Sequence, residues 1–208
     1  MKHLEESKLY GILDLKYVPP SDIVRVATQM VYGGVDILQL RAKSFIPDDV
    51  RWFAEQIHPV TSSAGVPLVI NDYPEVAGEI GAEGVHVGQD DLSVDRAREL
   101  AGYRTVIGKS THSIAQAMAA AVEDTDYLGF GPLFATPTKP DYAPLGLQDI
   151  RTVYEMVKKP IFCIGGIKLE NLGAVLEAGA RRVVIVSGIL QAPDIEVYCR
   201  KVKEMLEG

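Results

Sequence analysis

The feature that most constrains this chain is a repeat. A short apolar or β-branched run, a polar turn and a helix-length stretch recur eight times within 208 residues. Candidate strands are Leu9–Leu13, Ile37–Leu40, Leu68–Ile70, Gly84–Val87, Thr105–Ile107, Tyr127–Phe130, Ile161–Ile164 and Val183–Val186. Helical patterns lie between them at Ser21–Tyr32, Pro47–Ser63, Pro74–Ile80, Ser93–Ala101, Ser113–Val122, Leu147–Val157, Leu169–Ala178 and Asp194–Leu206. Eight strand–helix units in a chain of this length predict an α/β fold, a single (β/α)8 TIM barrel over residues 1–208 rather than an open doubly wound sheet. In such a barrel ligands sit at the C-terminal ends of the strands. Polar residues just after each apolar run are therefore the site candidates.

Local signals agree with these boundaries. Ser21, Ser93 and Ser113 stand where a side-chain oxygen can cap a helix start. Gly33–Gly34, Gly65, Gly81, Gly102 and Gly179 stand where a left-handed residue closes a helix before the next strand.

Charge and composition narrow the function. Hydrophobic residues make up 47% and no apolar run reaches the length of a membrane span. A formal charge of −7 argues against nucleic acid or an anionic membrane as a general partner, so any phosphate site must be local. Cys163 and Cys199 read as two reduced thiols. The opening MKHLEESKLY lacks the apolar core of a signal peptide, so a cytoplasmic location is expected. Oligomeric state is not legible, and a homo-oligomer stays open.

The stretch Gly129–Gly146, GFGPLFATPTKPDYAPLG, holds four prolines, two threonines and one lysine. It predicts a long shaped loop, and its hydroxyls and ammonium suit a phosphate-bearing ligand. A solvent-exposed excursion of the chain is the alternative.

The strand ends carry the remaining candidates. Alternation puts Gln39, Arg41 and Lys43 on one side of an extended chain, a guanidinium fork and an ammonium suited to pyrophosphate, unless they form only a charged rim. Asp72 follows the third strand and Asp91 the fourth, and carboxylates at neighbouring strand ends can share Mg²⁺. Asp90 or Asp91 could instead cap the helix near Ser93. After the fifth strand, Ser110 or the following amides could hold an anion, although capping by Ser113 explains part of that cluster. His86 and His112 could move protons or be structural, and no nucleophile with a partnered base is evident. The glycines of Ile164–Gly165–Gly166–Ile167 and Val186–Ser187–Gly188–Ile189 fall where this fold binds phosphate, or they make tight turns only. Phosphate-loop, dinucleotide and zinc spacings are absent.

These pieces, QLRAK at 39–43, IND at 70–72, GVHVGQDDL at 84–92, GKSTHS at 108–113, GFGPLFATPTK at 129–139, PLGL at 144–147, IGGI at 164–167 and VVIVSGI at 183–189, occur together in order. In that combination the chain closely resembles the thiamine-phosphate synthase family, nearly end to end. The resemblance implies a Mg²⁺-dependent transferase of thiamine biosynthesis. Its substrates would be hydroxymethylpyrimidine diphosphate and a thiazole phosphate, joined with release of pyrophosphate. It implies that Gln39, Arg41, Lys43 and Asn71 hold the pyrimidine diphosphate, with Ser110 and Lys139 on the same side and Asp72 and Asp91 as Mg²⁺ ligands. Arg41, Lys43, Ser110 and Lys139 would be catalytic. Thr136, Thr138, Gly166, Val186 and Ser187 would hold the thiazole phosphate.

Two motifs depart from that pattern. The segment after the eighth strand reads SGI where alanine is expected after the serine, and ILD at 12–14 is an imperfect first strand end. A thiazole tautomerase-like isomerase is the closest rival, but such relatives are expected to carry a histidine near Gly131–Pro132. A non-catalytic phosphate-ligand sensor would explain the glycine motifs but not Asp72 and Asp91 beside Arg41 and Lys43.

Overall fold

The computed structural model describes residues 4–136 and 143–208. Eight parallel strands close into a barrel in the order of the chain, and β1 lies between β2 and β8. The strands are β1 (Leu9–Asp14), β2 (Ile37–Arg41), β3 (Leu68–Asn71), β4 (Gly84–Val87), β5 (Val106–Thr111), β6 (Tyr127–Phe130), β7 (Ile161–Cys163) and β8 (Val183–Ile185). The helices are α1 (Ile23–Tyr32), α2 (Pro47–Ser63), α3 (Pro74–Ile80), α4 (Val94–Ala101), α5 (Ile114–Val122), α6 (Ile150–Met156), α7 (Leu169–Glu177), α8 (Ser187–Leu190) and α9 (Ile195–Glu207). Among the described residues no helix is long and apolar enough to cross a membrane.

Alternation along each strand produces two cores. Leu9, Leu13, Leu38, Leu40, Leu68, Ile70 and Leu128 face outward and pack with the apolar stripes of the helices. Tyr10, Ile12, Ile37, Val69, Tyr127, Phe162 and Val184 face inward and fill the barrel. Because both faces are covered, the strands read as nearly continuous apolar runs. Tyr10, Tyr127 and Phe162 meet with centroids 5.5–5.9 Å apart, an edge-on or tilted arrangement that suits aromatic quadrupoles.

Several boundaries differ from the sequence reading. Strand β5 runs on to Thr111, so Ser110 belongs to the strand and points inward, not to a loop after it. Polar Lys109 and Ser110 hid this extension; Lys109 leaves the barrel outward to pair with Glu123 at 2.8 Å. The short helix α8 occupies what reads as a glycine turn. Helix α6 begins at Ile150, three residues later than the pattern suggests. Ser93 and Ser113 do cap their helices, accepting from the amides of Arg96 and Gln116 at 3.3 and 3.1 Å. Ser21 does not, because a 3-10 turn at Pro20–Asp22 precedes α1. Gly33 keeps right-handed backbone and Gly34 makes the reversal at φ +92°.

Cys163 and Cys199 are both buried and unbridged. Burial pushes each thiol up to about 12.

Candidate active site

At the C-terminal ends of the strands lies an open-mouthed cavity of about 900 Å³, counting the solvent at its mouth. Gln39, Arg41, Asn71, Ser110, Thr136, Gly166, Val186 and Ser187 all line it. Lys43, Asp72 and Asp91 stand outside that lining, next to Asn71 in the chain or in contact with its neighbour Asp72. Thr138 and Lys139 lie outside the described residues.

The β2–β4 arc is a charged cluster. Arg41 is the last residue of β2, and its Nη1 donates to Asp14 at the end of β1 at 2.6 Å. Asp14 is buried, and its register with Arg41 across the two strands brings them together. Lys43 reaches Asp72 at 3.0 Å. Neither cation is therefore the independent charge that the QLRAK motif suggests. The sequence signal for the Asp14–Arg41 pair is an acid directly after the first apolar run and an arginine directly after the second.

Asp72 has φ +67°, and no other non-glycine among the described residues has positive φ. Such backbone costs on the order of 1 kcal/mol and survives where its surroundings impose it. Burial raises the Asp72 carboxyl above its ordinary range; Lys43 opposes that rise and the neighbouring Asp91 carboxylate adds to it. Asp91 also accepts the Gly88 amide at 2.6 Å, whereas Ser93 caps α4, so Asp91 does not serve as the cap. Arg41 thus pairs with Asp14, while Lys43 pairs with Asp72 beside Asp91. Two facing carboxylates fit a hard divalent cation that takes one or two protein oxygens and leaves the rest to phosphate and water. Among the described residues no three or more His, Cys, Asp or Glu side chains gather as a fuller ligand set. Asn71 lines the cavity at 8% exposure, and its buried Nδ2 has no hydrogen-bond partner in the protein. A buried donor left unmade costs free energy, so a ligand acceptor suits it.

Inside the barrel a chain of polar side chains escaped sequence reading. Gln39 Nε2 donates to Tyr10 Oη at 2.7 Å, the two tyrosine hydroxyls are 3.0 Å apart, and Tyr127 Oη is 3.0 Å from His86 Nδ1. His86 Nε2 is 2.9 Å from Ser110 Oγ. Burial raises both phenols well above the ordinary tyrosine value, so they stay protonated. His86 sits within β4, as the fourth candidate strand places it, but its partners come from β5 and β6. His112 instead holds the Gly131 carbonyl from Nδ1 at 2.5 Å.

The β7–β8 arc is built from backbone. Gly165 and Gly166 have φ +100° and +65°. A Cβ on Gly166 would come within 2.7 Å of Phe134 Cβ, so the β6–α6 loop packs directly on this turn. Asn171 Nδ2 donates to the Gly166 carbonyl at 2.9 Å and orients its peptide. Ser187 begins α8, a short extra helix in the place where barrels of this kind commonly bind phosphate.

The loop of Gly129–Gly146 has a firm base. Its first two residues end β6. Leu133 and Phe134 amides then donate to the carbonyls of Ile164 and Gly165 at 2.8 and 3.0 Å. Leu145 and Gly146 amides return to Pro132 and Leu133 carbonyls at 2.8 and 3.1 Å. The Gly131–Pro132 peptide is cis.

Comparison with known proteins agrees with this arrangement. Residues 9–189 match the family model described as thiamine monophosphate synthase. A thiamine-phosphate synthase of Thermus thermophilus is 44% identical over 177 residues, 85% of each chain. One of Pelotomaculum thermopropionicum is 38% identical over 204 residues, 98% of this chain and 94% of the other. A solved thiamine phosphate pyrophosphorylase from Pyrococcus furiosus superposes with a TM-score of 0.89 at 28% identity, covering 98% of this chain and 97% of that one. A closed barrel, polar strand ends opening on one cavity and a family match along most of its length together mean that the chain belongs to the thiamine monophosphate synthase family.

Proposed function

We propose that this chain is a thiamine-phosphate synthase, a transferase that joins hydroxymethylpyrimidine diphosphate to a thiazole phosphate, giving thiamine phosphate and pyrophosphate. The observation that carries the reading is one cavity with two kinds of anion grip: side-chain donors at Gln39, Arg41, Asn71 and Ser110, and backbone at Gly166, Val186 and Ser187. One diphosphate and one monophosphate match those two arcs.

In this reading the bond from the pyrimidine methylene to the diphosphate oxygen breaks first, and its electron pair leaves with pyrophosphate. The thiazole nitrogen then donates its lone pair to the methylene carbon. No proton need be removed, so the Ser110 hydroxyl, although 2.9 Å from His86 Nε2, serves in binding and not as a nucleophile. Arg41, held by Asp14 on one edge, keeps its other N–H groups for the departing oxygens. Lys43 adds charge from the rim, and Lys139 would act from the loop. Asp72 and Asp91 would hold Mg²⁺, which when bound neutralises negative charge developing on the leaving group. Asn71 donates Nδ2 to the diphosphate side. Thr136, Thr138, Gly166, Val186 and Ser187 hold the thiazole phosphate, so that the nitrogen meets the methylene carbon in line.

The test mixes purified protein with both substrates and Mg²⁺ and looks for thiamine phosphate by chromatography. Product at a rate dependent on both substrates is expected. Folded protein that forms none but isomerises the thiazole phosphate would instead be the tautomerase-like enzyme. Folded protein that binds phosphate ligands and transforms neither would be the sensor.

A further inference from the structure

The barrel interior carries a sequence of hydrogen bonds whose direction follows from counting protons. Gln39 Nε2 donates to Tyr10 Oη. Tyr10 is buried at 1% exposure and has one hydroxyl hydrogen, and its other hydrogen-bonding neighbour is Tyr127 at 3.0 Å. A buried hydroxyl hydrogen without an acceptor is costly, so Tyr10 donates to Tyr127. The Tyr127 hydrogen then goes to its remaining neighbour, His86 Nδ1, at 3.0 Å. A neutral imidazole that accepts at Nδ1 carries its hydrogen on Nε2, which points at Ser110 Oγ 2.9 Å away. With its oxygen accepting from His86, the Ser110 hydroxyl turns its own hydrogen into the cavity it lines.

We propose that Tyr10, Tyr127 and His86 form a one-way relay that fixes Ser110 as a hydrogen-bond donor to the bound substrate, so that the site selects a lone-pair acceptor at that position and rejects an N–H. Tyr10, Tyr127 and His86 are positioning residues, because they act through Ser110. The fold has made room for the relay. A Cβ on Gly108 would overlap the ring end and hydroxyl of Tyr127, so glycine at 108 is what lets that phenol stand between Tyr10 and His86. Packing of Tyr10 and Tyr127 edges on Phe162 holds both rings in the required plane. The proposal rests on the synthase reading only for the identity of the ligand.

The experiment is nitrogen NMR of the ligand-free protein with ¹⁵N-labelled histidine, above about pH 8, where an ordinary imidazole is neutral. The His86 signals are identified by their loss in His86→Gln. The expected wild-type spectrum has a hydrogen on Nε2 and a bare, hydrogen-bonded Nδ1. Tyr127→Phe removes the hydroxyl that imposes this tautomer; the Nδ1 signal shifts toward an unbonded nitrogen or the tautomers mix. In turnover, Tyr127→Phe is expected to raise KM for the pyrimidine diphosphate about tenfold, the worth of one hydrogen bond, with a smaller change in kcat. Tyr10→Phe breaks the relay one step earlier, moves both readings less in the same direction, and serves where Tyr127→Phe fails to fold. A wild-type His86 carrying its hydrogen on Nδ1 overturns the proposal, as do unchanged His86 signals in both tyrosine variants. Because the tautomer is read without substrate, a protein with the predicted spectrum but no synthase activity would refute the functional reading and leave the relay standing.

Discussion

Asp72 concentrates the chemistry of the rim in a single residue. It combines a left-handed backbone, a carboxyl raised by burial, and carboxylate and ammonium neighbours from two other loops. Asp72→Asn keeps the volume and tolerates the same backbone, so it isolates the charge. Turnover is expected to fall roughly 100-fold. Mg²⁺ is expected to raise the melting temperature of the unaltered protein and not that of the variant, as binding to the native state requires. Equal Mg²⁺ stabilisation of both would remove Asp72 from the metal site. Gly188 is a second informative position. A Cβ there would lie 2.6 Å from the Tyr198 hydroxyl, which also accepts the Leu169 amide at 2.9 Å. The glycine that departs from the family pattern is thus matched by a tyrosine in α9. Gly188→Ala is expected to raise KM for the thiazole phosphate several-fold, and adding Tyr198→Phe to recover part of it; steady-state kinetics on the two variants decides this. The thiols of Cys163 and Cys199, held as thiol by burial, are expected to resist a disulfide reagent until the protein unfolds.

At the scale of elements, the β6–α6 loop shows how pattern and packing divide the work. Its length, prolines and glycines were legible, and the described residues 131–136 and 143–146 form neither helix nor strand. That the loop base lies on the turn after β7 was not, because those backbone bonds join residues more than thirty positions apart, as in Leu133 to Ile164. Gly131→Ala would drive a methyl into the Ile164 carbonyl and push the loop off that turn. The expected result is at least about a tenfold loss of kcat/KM, since small displacements of positioning elements are expensive. The denaturation midpoint should shift less than for Phe162→Ala, which empties the barrel centre and costs about 3–5 kcal/mol. Strand β5 illustrates the opposite error. Lys109 and Ser110 read as a strand end, yet one leaves the barrel and the other enters it, as alternation within a continuing strand demands. Polar residues inside a strand defeat a hydrophobic pattern.

For the whole molecule, closure depends on β1 fitting between β2 and β8. Asp36, at 1% exposure, fastens that seam. Its carboxylate accepts the Lys8 and Leu9 amides at 2.9 Å each and the Lys203 ammonium at 2.8 Å, joining the start of β1 and the approach to β2 to α9. Asp36→Ala leaves those donors unmatched and is expected to cost about 3 kcal/mol in urea denaturation, the lower end for breaking a buried ion pair. A cost below about 1 kcal/mol would show that the seam is held by packing alone.

The sequence by itself determined the barrel, the order of its strand ends and eight of the residues that line the cavity, because period, turn chemistry and strand-end position are local properties of the chain. Gln39, Arg41, Ser110, Thr136 and Gly166 follow from that local logic, and Asn71, Val186 and Ser187 from the resemblance to the family. Only the tertiary structure decided which charges pair, that Arg41 is held by Asp14 and Lys43 by Asp72, and that Gln39, two tyrosines, His86 and Ser110 form one chain through the interior. Those contacts join residues of different strands. Strand register and barrel closure alone set their distances, and no one segment of sequence contains them.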